Sequence, residues 1–333
     1  MSVWDRLTYV QLPPRSPTMN ADAAIAVSGL SYHYGPRQAL NDLEFSIDAG
    51  EIFAFVGPNG GGKTTLFRLL STLVRLQQGK VSLFGLDLRG AVDQIRRLIG
   101  VVFQAPSLDN KLTVAENLRH QGHIYGLTAR AAMPRETQLL QQLGLTARRS
   151  EMAQTLSGGL RRRVELAKGM LHQPRLLLLD EPSTGLDPGA RSDLWSYLET
   201  LRREEGVTVV LTTHLLDEAE KADRVAILHE GSLVALDTPD ALRATVGGDA
   251  LTIAGPDADR LAAEIRDRFD CDASTVDGTV RLEQPDGHQW IARLVEAFPG
   301  QIDSVTYARP TLEDVFIDRT GHRFRQDMES NDE

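Results

Sequence analysis

The sequence holds a single cysteine, Cys271, in 333 residues. That excludes an internal disulfide and any cysteine-cluster metal site, and it points to a reducing compartment, most simply the cytoplasm. Cys271 reads as a small apolar residue rather than a redox centre. Also missing is an uninterrupted apolar run long enough to cross a membrane, about eighteen residues, so a membrane role has to come through a partner. The first residues lack the apolar stretch of a signal peptide, because Asp5, Arg6 and Arg15 interrupt them and the Pro13, Pro14 pair breaks them. Residues 1–22 read as a flexible extension, and Met19 serves equally well as a start. No long basic stretch appears, and the formal net charge of -10 gives no overall attraction to phosphate backbones, so no nucleic-acid partner is expected.

What is present is ordinary globular composition, 41% hydrophobic and 25% charged, at a length that suggests one large domain and one smaller one. Short alternating apolar runs over 25–56, with turn residues Gly35, Pro36 and Gly50, predict antiparallel strands. Between about 112 and 168 the spacing turns helical, with Leu139, Leu140, Leu143 and Leu145 recurring. Runs at 176–179 and 207–211, separated by a helical stretch around 194–201, read as buried parallel strands with a crossover helix. Composition shifts beyond Pro239, where Gly247, Gly248, Gly255 and Pro256 punctuate the chain, so one domain is predicted over 23–240 and a small α+β unit over 248–318. That unit is expected to carry helices at 261–269 and 290–298 and a hairpin over 275–282 turning at Asp277 and Gly278, followed by a flexible tail at 319–333.

The chemistry starts at Gly57, Pro58, Asn59, Gly60, Gly61, Gly62, Lys63, Thr64 and Thr65, a glycine-rich phosphate loop between an apolar strand and a helix. Backbone amides can converge on a phosphate only where side chains are small. Lys63 then reaches the outer phosphates and counts as catalytic, Thr64 offers magnesium a hydroxyl, and the start of the following helix adds attraction for the anion. Downstream, the run at 176–179 ends in Asp180 and Glu181, which strand alternation points in different directions. Asp180 is expected to hold magnesium, usually through water, and Glu181 to polarise the attacking water as general base. His214 closes the next strand at the same carboxyl edge, within reach of a γ-phosphate. Gln104, after another apolar strand, offers magnesium or its water an uncharged amide. A histidine at a strand end is also a common structural residue, and Gln104 taken alone reads equally as a surface glutamine.

Residues 156–160 read LSGGL, with Ser157 capping an amphipathic helix that continues RRRVELAKGM. Arg161, Arg162 and Arg163 read as a solvated helix face rather than an anion site. Taken in order, GPNGGGKTT, Gln104, LSGG, LLLLDEP, STGLD and His214 resemble the ATP-binding-cassette family over roughly 25–239. The resemblance implies an α/β phosphate-loop NTPase cassette, with a mixed sheet core, an antiparallel β subdomain and a helical subdomain, and a small C-terminal α+β accessory domain. It implies ATP and Mg2+ as ligands and head-to-tail dimers, with ATP held between one copy's phosphate loop and Ser157, Gly158 and Gly159 of the other. It also places Asp187 in a loop crossing the dimer seam and Tyr34 on the adenine; the lesser alternative for Tyr34 is one of two aromatics on a strand face with Tyr32. Two departures from the pattern are Gly61, where the family usually has alanine, and Leu160, where it has glutamine; Gly61 is expected to loosen the loop modestly. LTVAENL, YGL and the tail RPTLEDVF are similar to drug and antibiotic exporters of the ABC-2 type. The implied partner is a separate transmembrane permease received near 105–117, with the chain peripheral on the cytoplasmic face of the membrane. The rival, a soluble cassette ATPase acting on nucleic acid or the ribosome, usually has two cassettes or a long coiled coil, and neither is present.

Overall fold

The computed structural model describes residues 23–321 apart from 247, 277, 285 and 286. The extension at 1–22, residues 322–333 of the tail and Asp277 of the hairpin turn lie outside the described residues. Strands β1 (Ala23–Tyr34) and β2 (Arg37–Asp48) form the first hairpin, after which β3 (Ile52–Val56) leaves for a second sheet. Helix α1 (Lys63–Leu70) follows, and β4 (Lys80–Leu83) with the short β5 (Leu86–Asp87) completes a four-stranded antiparallel sheet in the order β2-β1-β4-β5.

The second sheet gathers β6 (Ile99–Val102), reached through α2 (Val92–Leu98), β7 (Leu176–Asp180), β8 (Thr208–Thr213), β9 (Arg224–His229) and β10 (Ser232–Asp237) around β3. Its order is β10-β9-β3-β8-β7-β6, parallel except for the β9–β10 hairpin. Every residue of β3 and β7 is buried, as expected of parallel strands covered on both faces. Alternation divides them: Phe53, Phe55, Leu176 and Leu178 pack toward the antiparallel sheet and α1, whereas Ile52, Ala54, Val56, Leu177 and Leu179 pack toward the helical side.

The predicted helical region is α3 (Val114–Ile124), α4 (Ala129–Gln142), two 3-10 turns and α5 (Gly158–Met170). Their starts are written locally, since Thr113 and Glu116 form a reciprocal capping box and Thr128 and Ser157 each accept a backbone N–H with the side chain. The crossover between β7 and β8 is α6 (Pro188–Glu205), capped by Asp187, and α7 (Leu216–Ala219) and α8 (Pro239–Ala244) complete the large unit.

A third sheet follows, built from β11 (Asp249–Ala254), β12 (Ala273–Val276), β13 (Thr279–Gln284) and β14 (Ser304–Ala308) in the antiparallel order β12-β13-β11-β14. Helices α9 (Ala258–Phe269) and α10 (Gly287–Ala297) enclose with it a separate core that includes Leu251, Ile253, Ile265, Leu282 and Leu294. The sequence reading groups 248–318 as one unit, yet α11 (Leu312–Thr320) does not stay with this sheet. Its Leu312, Val315 and Phe316 are buried in the same core as Val225, Ile227 and Leu242, and the Phe316 ring meets His229 edge-on at 5.4 Å. The chain leaves the large unit after α8 and returns to it at α11.

Candidate functional site

The loop from Gly57 to Gly62 joins the end of β3 to α1. Gly62 stands at the helix cap with φ of 104°, a conformation a side chain rarely adopts. Gly57 is required for a different reason: a Cβ there would lie 2.2 Å from the Leu228 carbonyl oxygen. At Gly61 φ is not left-handed, and a Cβ would sit 3.0 Å from the carbonyls of Leu228 and Pro58. The loop is braced from outside by the Gly231 N–H, which donates to the Gly61 carbonyl at 3.1 Å, so the expected looseness at Gly61 finds no counterpart in its bonding. Lys63 is buried with Nζ donating to the carbonyls of Gly57 at 2.6 Å and Pro58 at 3.1 Å. Burial lowers its pKa, with the Glu181 and Asp180 carboxylates pulling the other way.

Glu181 lies just beyond the last residue of β7 and takes a left-handed φ of 42°. The separation of Asp180 from Glu181 therefore comes from a strained turn rather than from strand alternation. Thr212 at the end of β8 holds that turn. Its hydroxyl donates to Asp180 Oδ1 at 2.6 Å and accepts the Glu181 N–H at 3.1 Å. Three groups converge on Glu181 Oε2: Gln104 Nε2 at 3.1 Å, Thr184 Oγ1 at 3.3 Å and His214 Nδ1 at 3.2 Å. Asp180 is buried, and desolvation raises its pKa despite the Thr212 bond. Behind them, the buried Glu218 accepts from Ser183 Oγ at 2.5 Å and Thr213 Oγ1 at 3.1 Å and faces Arg191 at 3.4 Å, bracing the turn after Glu181 against the strand end before His214.

A cleft of about 150 Å³ lies over the loop, lined by Tyr34, Asn59, Gly60, Gly62, Lys63, Thr64, Thr65 and Glu181. Tyr34 is 42% exposed there, its ring packed edge-on to Tyr32 at 5.0 Å, so exposure of one face and the pairing with Tyr32 hold together. Arg37, next along the hairpin and on the same cleft, is absent from the sequence reading, where nothing marks it beyond its place after the Gly35, Pro36 turn. Ser157, Gly158 and Gly159 do not line this cleft; Gly159 lines another, between α4, α5 and α6. The donors offered to a divalent cation, the Thr64 hydroxyl, the Gln104 amide oxygen and the Asp180 carboxylate, are all oxygens, which suits Mg2+ held jointly with substrate phosphates. No group of three or more His, Cys, Asp or Glu side chains is placed to hold a metal by itself among the described residues.

The ABC transporter family model matches residues 40–184. The chain is 36% identical over 313 residues to the daunorubicin resistance ATP-binding protein DrrA2 of Streptomyces coeruleorubidus, covering 90% of this chain and 96% of that protein. It belongs to the ABC transporter family. The Nod factor export ATP-binding protein I of Rhizobium johnstonii is 36% identical to this ABC protein over 308 residues, covering 91% and 96%. Among solved structures, an ATP-binding subunit of an ABC transporter superposes with a TM-score of 0.61 at 32% identity, covering 67% of this chain and 92% of that one. The dimeric bacterial ABC transporter cassette MJ0796 superposes at 0.59 and 26% identity, covering 64% and 98%. This chain is therefore an ATP-binding, ATP-hydrolysing cassette, of a family whose members serve transmembrane permeases and form dimers. No helix among the described residues is long and apolar enough to cross a membrane.

Proposed function

We propose that this ABC cassette hydrolyses ATP at a site assembled head to tail from two copies of itself and thereby drives export through a separate transmembrane permease. Within one copy, the loop from Gly57 through Pro58, Asn59, Gly60 and Gly61 to Gly62, with the backbone N–H groups of its non-proline residues, and the Lys63 ammonium receive the phosphates, Thr64 and Thr65 close the loop, and Tyr34 carries the adenine. The second copy supplies Ser157, Gly158 and Gly159 at the start of α5, where Ser157 caps the helix and a helix start favours an anion. Thr64, Asp180 and Gln104 hold Mg2+, which when bound neutralises developing phosphate charge. Glu181 is the general base, oriented by Gln104, Thr184 and His214.

The observation that carries this reading is the convergence of Gln104, Thr184 and His214 on one oxygen of Glu181, at the rim of the cleft that Lys63 lines. A carboxylate with two hydrogen-bonding neighbours, a histidine nitrogen at 3.2 Å and a strained backbone is positioned, not incidental. Export, rather than import, is supported by relatives named for daunorubicin resistance and Nod factor export, and that role sets the chain peripherally on the cytoplasmic face. Changing Glu181→Gln should lower turnover by about a hundredfold or more with ATP binding retained, and should trap an ATP-dependent dimer detectable by light scattering. A Glu181→Gln chain that hydrolyses ATP at the parental rate would falsify the assignment of the base.

A further inference from the structure

Helix α5 carries three consecutive arginines, and only the middle one is buried. Arg162 is 8% exposed, and its guanidinium donates to four oxygens: the carbonyls of Phe103 at 2.7 Å, Pro182 at 2.9 Å and Asp180 at 3.3 Å, and Glu165 Oε2 at 2.9 Å. Phe103 immediately precedes Gln104, and Asp180 and Pro182 flank Glu181 on either side. Glu165, one turn along the helix and 5% exposed, uses its other oxygen to accept the Ser107 N–H at 2.8 Å, and Lys168 donates to the Ser107 carbonyl at 2.6 Å. One face of α5 is thus bonded to main chain on both sides of Glu181 and in the segment that holds Gln104.

The start of the helix is also open toward α6, where Arg162 itself lines the gap. A cleft of about 520 Å³ separates the beginning of α5 from α6 and the end of α4, bridged near the surface by Arg163 and Asp193 at 2.6 Å. A planar fork of charge-assisted bonds beside this open space makes Arg162 the rigid polar link between the start of α5 and the strand ends of its own chain. No aliphatic contact could fix three carbonyls of two separate strands at once.

We propose that Arg162 is a positioning residue that couples the two nucleotide sites of the dimer. In the proposed assembly Ser157, Gly158 and Gly159 touch the ATP bound by the other copy, so movement of α5 onto that ATP is passed through Arg162 to Gln104 and Glu181 of its own copy. Each site then hydrolyses at full rate only when the other is filled. The inference rests on the head-to-tail reading given above.

The test uses the purified full-length chain and measures ATPase rate against ATP concentration, binding of a fluorescent ATP analogue, and melting temperature. Variants are Arg162→Gln, the milder Arg162→Lys, which keeps charge but loses the fork, and Glu165→Gln, which leaves the guanidinium in place. The expected result is a fall in kcat of about tenfold or more with KM and analogue binding little changed, as for a misplaced reacting group. The Hill coefficient should drop from above one in the parent toward one, and Arg162→Lys should recover part of both. If the Arg162→Gln or Glu165→Gln chain melts as the parent does and keeps its kcat and Hill coefficient, the coupling role is wrong, and a parental Hill coefficient of one overturns it as well. The head-to-tail reading is scored separately: a Glu181→Gln chain that stays monomeric with ATP refutes the dimer and this inference together, whereas one that dimerises leaves the Arg162 result to stand alone.

Discussion

At the scale of single residues, the site depends on a side chain that no motif advertises. The Thr212 hydroxyl donates a hydrogen bond to Asp180 and accepts one from the Glu181 N–H, which fixes the carboxylates of neighbouring residues in different settings. Thr212→Val removes both bonds while keeping the shape. It leaves the buried Asp180 short of a donor at a cost of about 1–3 kcal/mol, so a lower melting temperature is expected, together with a fall in kcat of about tenfold as Glu181 loses its hold. Unchanged ATPase in a variant of intact fold would show that the strained turn stands without the threonine. The phosphate loop, Asp180, Glu181, Gln104 and His214 could be read from the sequence because each is marked by its immediate neighbours: glycines beside a lysine, or a polar residue closing an apolar run. Thr212 matters only through partners brought close by the fold, and Thr184, though it falls within STGLD, has its contact with Glu181 set by the turn rather than by spacing. Arg162 misled for the same reason. Three arginines in a row look solvated, and only Glu165, three residues on, hints at a buried pair.

At the scale of elements, local spacing predicted the helical region and the paired strands, because burial of one helix face or both strand faces writes a period into the sequence. It could not say which core a given element joins. The junction between α5 and β6 is an example, where His172 stacks on Tyr125 at 3.7 Å and donates from Nε2 to the Ile99 carbonyl at 2.9 Å. Burial pushes the His172 pKa down to about 4 from 6.5. The unfolded chain therefore binds a proton that the folded chain refuses between those values, and stability contributed by neutral His172 is lost as pH falls from about 6.5 toward 4. Between pH 7 and pH 5 the loss from this residue is about 2 kcal/mol. A His172→Gln chain should accordingly show a flatter decline of melting temperature with acidification over that interval, and an identical slope in both chains would remove the histidine from the account.

At the scale of the whole molecule, the unit built on β11 to β14 is held at both ends, since α8 and α11 pack on each other and share a core with β9. Phe316 is 1% exposed in that core and far along the chain from the phosphate loop. Phe316→Ala should cost about 3–5 kcal/mol, read as a drop in melting temperature with parental KM for ATP in the surviving folded fraction. A chain ended at residue 310 is expected to be less stable still, because Leu312, Val315 and Phe316 all leave. Replacing 249–309 with a short flexible linker, by contrast, should leave a folded, ATP-binding cassette; if that replacement unfolds and the truncation does not, the role given to α11 is wrong. The membership of α11 was not legible in the sequence, because its apolar face fits either of two neighbouring cores and only the three-dimensional path of the chain decides between them.

The return of α11 also sets a clock on synthesis. A polypeptide emerges amino-terminal end first at about 5–20 residues per second, so the phosphate loop is outside the ribosome for many seconds before Phe316 exists. During that interval the cassette has its nucleotide loop but an incomplete hydrophobic interior, and its full stability arrives only with the segment that seals it.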